Sequence, residues 1–170
     1  TQLFFGFHEG FTPTGGGADP EQADNLEMGV RYSDDNSYFE AVYFDTDYQN
    51  MFGECTASGG ATGSCEIGDS FNAGEASISG FELVAQTEIA SDSGTKYPLS
   101  MIYTSTDASF DNTFDSDFWG SVTSGMDIPD LPDSQLALQA GFETQSGLKG
   151  SATYYAYGST CSVASCAAGT

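Results

Sequence analysis

The chain keeps changing hydropathy with a period of two. In FNAGEASISGFELVAQTEI, residues 71–89, the odd positions from Ser77 run Ser, Ser, Phe, Leu, Ala, Thr, Ile. The even positions carry Ile78, Gly80, Glu82, Val84, Gln86 and Glu88. Side chains alternate across a strand, so such a segment has one greasy face and one largely polar face. The same pattern predicts strands over about 2–11, 25–33, about 38–48, about 97–108, 135–144 and 148–157. No segment repeats with helical period. The chain is therefore all-β, built from about seven antiparallel up-and-down strands.

The apolar sets are specific. Leu3, Phe5 and Phe7 share one face of the first strand, and Leu26, Met28, Val30 and Tyr32 one face of the second. Phe39, Ala41 and Tyr43 lie together on the third, whose other face is also partly apolar. Tyr97, Leu99, Met101 and Tyr103 align on the fifth, Leu136, Leu138, Ala140 and Phe142 on the sixth, and Leu148, Ala152 and Tyr154 on the seventh.

The connections alternate in length. Residues 12–24, 49–75 and 109–134 are long; DDNS (34–37), SDSGTK (91–96) and QSG (145–147) are short. A transmembrane barrel requires this alternation, with short turns on the periplasmic side and long loops outside. Charge placement agrees. A Lys or Arg facing lipid costs about 2–4 kcal/mol at mid-bilayer. Arg31 and Lys149 fall on polar faces, and Lys96 falls in a short turn. Tyr32, Phe39, Tyr97 and Phe142 all point to the apolar side near short turns, the placement of an interfacial aromatic girdle.

Composition narrows the partners. Among 170 residues, 3 are basic and 25 acidic, for a net charge of −22. Phosphate binding needs Lys and Arg, so nucleic acid is excluded as a partner. Disorder is excluded by the regularly placed aromatics. No stretch approaches the length of a transmembrane helix. No signal peptide is expected, and Thr1 is not expected to be a native start. The four cysteines form two local pairs, Cys55 with Cys65 and Cys161 with Cys166, in Gly/Ser/Ala-rich segments. Zinc spacing is absent, and one His does not complete a usual site. Two loop disulfides, each contributing roughly 2–3 kcal/mol, imply an oxidising, extracytoplasmic compartment.

Several longer stretches carry a family resemblance. They are GFHEGFTPTGGGADPEQADNLEMGVRY, YFEAVYFDTDYQNMFGECTASGG, CEIGDSFNAGEASISGFEL and YPLSMIYTSTDASFDNTFDSDFWGSVTSGMDIPDLPDSQLALQAGFE. In this order and spacing the chain resembles the barrel of TonB-dependent outer-membrane receptors, especially the ferric-citrate, siderophore-importing type. That resemblance implies a plugged barrel of about 22 strands. This chain matches an internal section from its later part: the plug and its TonB-contacting segment are missing, and the end, CAAGT, lacks a terminal aromatic strand.

The resemblance implies a non-enzymatic function. Loops and plug bind an external ligand, usually an iron chelate, and a TonB-coupled change in the plug admits it. The implied location is the bacterial outer membrane in contact with lipid, or the extracellular space for a released fragment. His8, on the polar side of the first strand, reads as a lumenal hydrogen-bonding residue. Glu27 and Arg31 share the inner face of the second strand, where they pair with neighbouring strands and plug or touch ligand. Phe118 and Trp119 contact ligand or pack loops together. The loop DASFDNTFDSDFWGSVTSGMD carries Asp111, Asp115 and Asp117, with Asp107 and Asp127, as Ca²⁺ ligands or as a solvated acidic loop; it lacks EF-hand spacing. No other cofactor is expected. Ferric dicitrate is anionic, and these loops carry almost no cations, so ligand identity does not follow from the resemblance.

Two other architectures compete. Open strand edges allow self-association into a filament or fibre. A soluble, disulfide-linked β-sandwich binding Ca²⁺ or sugar requires two sheets to meet face to face. In the barrel reading, Phe81, Leu83, Ala85 and Ile89 face lipid, while Glu82, Gln86 and Glu88 face the lumen.

Overall fold

The computed structural model describes residues 1–13, 19–56 and 59–162, and these contain strands and no helix. Seven long strands form one antiparallel sheet: β1 (Gln2–Thr12), β2 (Glu21–Ser33), β3 (Ser37–Gln49), β6 (Ala76–Ala90), β7 (Lys96–Phe110), β10 (Ser134–Glu143) and β11 (Lys149–Tyr157). They pair in chain order, and β1 and β11 are the open edges, so the sheet is not closed into a barrel. No second large sheet faces it among the described residues, and the sandwich arrangement is not what these residues form.

The long connections hold the elements that periodicity did not resolve. β4 (Phe52–Glu54) and β5 (Ser70–Asn72) form a hairpin in the second long loop, and β8 (Phe114–Ser116) and β9 (Gly120–Val122) another in the third. The stretch 71–89 is therefore not one strand. Phe71 and Asn72 belong to β5, and β6 begins at Ala76. The break lies at Gly74, whose φ of +75° suits glycine. There the backbone turns to exchange hydrogen bonds with Met51: Ala73 N to Met51 O at 2.6 Å, and Met51 N to Gly74 O at 2.9 Å. β2 starts four positions before the expected 25, since Glu21 to Asp24 pair with β1 and the pattern there is too polar to read as a strand. Lys96 opens β7 instead of lying in the turn.

The register joins the apolar sets into rows. Leu3, Val30, Ala41, Leu83, Tyr103, Leu136 and Ala156 are successive cross-strand partners over all seven strands. The next row toward the short turns holds Tyr32, Phe39, Ala85, Met101, Leu138 and Tyr154. The outer face is left uncovered: Leu3 in the first of these rows is 84 % exposed and Tyr154 in the second 60 %. The girdle residues Tyr32, Phe39, Tyr97 and Phe142 keep the expected face.

The apolar belt runs obliquely across those rows. The centre of the set on β2 is in register with Glu82, and that on β10 with Gln86. That is a shift of about four residues over about four strand spacings, roughly 13 Å against 19 Å. A belt lying in the membrane plane therefore tilts the strands by about 35°, within the range for outer-membrane barrels. Phe81 to Ile89 on β6 spans about 26 Å of strand, or about 22 Å along the membrane normal at that tilt, close to the apolar height of such barrels.

The buried core lies elsewhere. Ala73, Ala76, Phe110, Val122 and Ile128 form it, with Tyr48, Phe71, Phe114 and Trp119 packed around them. Ala76, Phe110 and Tyr48 share a row on the face opposite the apolar belt. The external loops therefore fold inward and cover the outer ends of β3, β6 and β7 on the polar face.

Candidate functional site

The polar face is built from even positions on β6 and β7 and their partners. It carries all three basic residues of the chain, each against a carboxylate. Lys96 Nζ meets Glu88 Oε1 at 2.7 Å, Lys149 Nζ meets Glu143 Oε1 at 2.8 Å, and Arg31 Nε meets Glu40 Oε2. Direct register pairing accounts for two of the three, while Glu88 lies two positions along β6 from Ala90, the partner of Lys96. Arg31 is the direct partner of Glu40, and Lys149 of Glu143.

Two of the recesses that open on this face hold charged side chains. The larger, about 930 Å³, lies toward the short turns, where Tyr38, Gln86, Glu88, Ser100, Gln139 and Glu143 help line it. The smaller, about 300 Å³, contains both Glu27 and Arg31. Its walls come from an arrangement that recurs in the sheet. Phe4 is the direct partner of Gly29, and Phe44 of Gly80. A Cβ on Gly29 would lie 2.8 Å from the Phe4 ring atom Cε1, and one on Gly80 2.7 Å from Phe44 Cζ. Glycine at both positions leaves room for the ring across the ladder, and a side chain there would also run into a backbone oxygen, Ala41 O at Gly29 and Ser105 O at Gly80.

Glu27 and Arg31 share the recess but not a bond. Arg31 Nε donates to Glu40 and, at 3.0 Å, to Tyr38 Oη. Tyr38 donates to Glu40 Oε2 at 2.6 Å, and the guanidinium lies 5.4 Å from the Phe4 ring centroid, a cation–π distance. Glu27 Oε1 accepts from Asn25 Nδ2 at 2.9 Å, and Asn25 Oδ1 in turn accepts from Thr46 at 3.2 Å. His8 sits on the same face across from Asn25.

Phe118 and Trp119 are joined to loop aromatics. Trp119 meets Phe110 at 5.2 Å and stands edge-on to Phe71 at 5.4 Å; Phe118 lies 6.1 Å from Phe71. These contacts tie the β8–β9 hairpin to the β4–β5 hairpin. The Cys55–Cys65 disulfide closes the intervening loop, and both cysteines are buried. Backbone bonds from Ala61 N to Asp117 O at 3.0 Å and Thr62 N to Asp117 O at 3.3 Å dock that loop onto the neighbouring hairpin. Cys161 is also disulfide-bonded, and Cys166 lies outside the described residues.

The acidic loop residues are dispersed. Asp111 accepts from Ser77 Oγ at 2.5 Å, Asp115 from Ser121 Oγ at 2.8 Å, and Asp117 from Thr62 Oγ1 at 3.0 Å. Each carboxylate has its own hydroxyl. Among the described residues, no three His, Cys, Asp or Glu side chains converge to hold a metal. Phe4, Glu40, Val42 and Phe44 help complete the recess and were not singled out from the sequence. Face parity placed them on the inner side, and the Phe–Gly alternation was the available clue, but only the register shows which residue each one opposes.

The sheet is thus greasy on one side and charged on the other, with loops capping one end and short turns at the other. A model of the TonB-dependent receptor-like β-barrel matches residues 1–164. No curated protein and no solved structure matches the chain. Members of that family are outer-membrane receptors that import nutrients, not enzymes, and this chain belongs to the TonB-dependent receptor-like β-barrel family.

Proposed function

We propose that the chain is an internal section of a larger TonB-dependent receptor that binds and imports an iron chelate or another scarce nutrient. Its sequence pattern is of the ferric-citrate and siderophore type. The observation that carries this reading is the oblique apolar belt on one face, set against a charged face whose outer end is covered by loops. Lipid meets the first face; the second lines the lumen and meets the plug, through which TonB acts. The free edges of β1 and β11 pair with further strands of the same wall, which removes the need for self-association. Glu27, Arg31, Phe118 and Trp119 stand along the ligand's route, the first two in the lumen and the last two in the loop cap.

Peptide mapping of purified outer membranes tests this. Peptides from this sequence are expected within one longer polypeptide that also holds a plug. Recovery of only a 170-residue polypeptide with its own start and stop overturns it. Uptake of labelled iron chelates by cells with and without the receptor, and with and without TonB, then tests import itself.

A further inference from the structure

We propose that Gly60 is a positioning residue for solute capture: it seats the tip of the β8–β9 hairpin, residues 117–119, at the external mouth of the lumen. This rests on the reading that the loop cap stands along the solute's route, and it names the contact that sets where Phe118 and Trp119 stand.

The tip and the disulfide loop are each held in shape from within. In the tip, Ser116 Oγ accepts from Phe118 N and from Trp119 N, both at 3.2 Å, and Ser116 is buried. In the loop, the Cys55–Cys65 disulfide is joined by a bond from Gly59 N to Cys65 O at 2.7 Å and by a Thr62–Ser64 hydroxyl contact at 2.6 Å. Both pieces are stiff, so the place of one against the other is fixed at their seam.

The seam is backbone against backbone. Ala61 N donates to Asp117 O and to Phe118 O, both at 3.0 Å, and Thr62 Oγ1 donates to Asp117 Oδ1 at 3.0 Å. Gly60 adjoins these donors with a φ of +49°. A Cβ there would run into Asp117 O, and it would lie 2.9 Å from Phe118 Cα and 2.8 Å from Cys65 Cβ. None of these atoms is the free end of a flexible side chain. A methyl group at Gly60 is therefore not absorbed by a rotamer change, and the tip must move away from the loop. Gly63 in the same loop separates strain from wedging. Its φ is +82°, and a Cβ there meets nothing within 4 Å. A side chain at Gly63 carries the conformational cost alone; one at Gly60 carries the wedge as well.

The displacement stays at the tip. The root of the hairpin is tied to the start of β6 by bonds that do not involve the disulfide loop: Glu75 N donates to Asn112 Oδ1 at 3.0 Å, and Asp111 N to Glu75 O at 2.9 Å. An aromatic surface held in place loses less freedom on binding than one ordered by the contact itself. Undocking the tip thus weakens capture and leaves the later TonB-coupled step, which runs through the plug, as it was.

The test uses the intact receptor that contains this sequence, unmodified and as Gly60→Ala and Gly63→Ala. In the purified receptor, amide exchange at Phe118 and Trp119 is expected to accelerate at least about tenfold in Gly60→Ala, with Asp111 unchanged and Gly63→Ala close to the unmodified protein. Uptake by cells is measured with radiolabelled ferric dicitrate as probe. In Gly60→Ala the half-saturating concentration should rise at least about fivefold while the maximal rate per receptor is kept, the pattern of lost binding without lost transport. Thr62→Val, which removes the hydroxyl from the seam, should act in the same direction and decides the matter if Gly60→Ala does not assemble. Unchanged exchange at the tip overturns the proposal. So does faster exchange with an unchanged half-saturating concentration, or a lowered maximal rate alone, since either makes the contact structural only. No TonB-dependent uptake of ferric dicitrate by the unmodified receptor overturns the ferric-citrate reading of the function; the exchange comparison then decides whether Gly60 seats the tip.

Discussion

Four phenylalanines lie directly across from glycines: Phe4 from Gly29, Phe44 from Gly80, Phe71 from Gly53 and Phe142 from Gly150. In each pair a Cβ on the glycine would meet the ring at less than normal van der Waals distance. A glycine in a strand costs backbone entropy and leaves a gap, and the ring across the ladder fills that gap. In the intact receptor, Gly80→Val is therefore expected to destabilise by about 1–3 kcal/mol through overpacking. Gly10→Val, where an added Cβ meets only Ala23 at 3.6 Å, should cost less; urea unfolding midpoints compare the two. Asp34 in the β2–β3 turn is a second case. Its carboxyl is held below the usual range by the Asn36 amide first, then by the Tyr32 hydroxyl and the Ser37 amide. A lowered pKa means that its stabilisation is complete above the ordinary carboxylate value of about 3.9 and is lost as pH falls through the lower folded value. Amide exchange at Asn36 and Ser37 should accelerate in that acid window, and Asp34→Asn should remove the acid-dependent step.

At the scale of elements, the long loops are folded and not merely long. Two short hairpins, a buried disulfide and an aromatic cluster centred on Trp119 make the external cap one packed unit. Phe110 at the end of β7 is fully buried beneath it. The disulfide joins residues 10 apart in sequence, and closing so short a loop is worth about 3 kcal/mol in the chain-entropy account. Cys55→Ser/Cys65→Ser is expected to open the loop within 49–75 to external protease, while strand assembly in the membrane stays intact. Digestion of whole cells followed by mass mapping reads both. The long strands were legible because each presents two faces of different polarity. The hairpins β4–β5 and β8–β9 were not, because at three residues each they are too short to show a period. The break before β6 was hidden for a related reason: Ala73 and Ala76 suit either a strand or a packed turn.

At the scale of the molecule, the two faces meet different solvents. Leu83 and Val84 are neighbours in sequence but belong to different rows. Leu83 lies in the belt with Ala41 and Tyr103, and Val84 on the inner face between Glu40 and Ile102. Leu83→Arg is expected to cost about 2–4 kcal/mol near the bilayer midplane, whereas Val84→Arg faces the lumen and should cost little. Folding of the two variants of the receptor into lipid vesicles, followed by heat-modifiable gel mobility, distinguishes them. Equal losses would place lipid on neither face or on both.

Alternating hydropathy and loop lengths were enough to set out the long strands and which residues share a face, since period-two polarity is a local property of the chain. The apolar sets on β2 and β10 could be written down residue by residue. Their offset, and hence the strand tilt, could not, because it depends on which residue opposes which across the ladder. The same limit held at the recess. Glu27 and Arg31 were visible as inner-face charges four positions apart. Yet Glu40 and Tyr38 claim the arginine, Asn25 holds the glutamate, and two phenylalanines stand directly across from glycines beside them. Asn25 is two positions along the same strand, but Tyr38 and Glu40 come from β3, and only pairing in three dimensions brings them within a hydrogen bond's reach of Arg31.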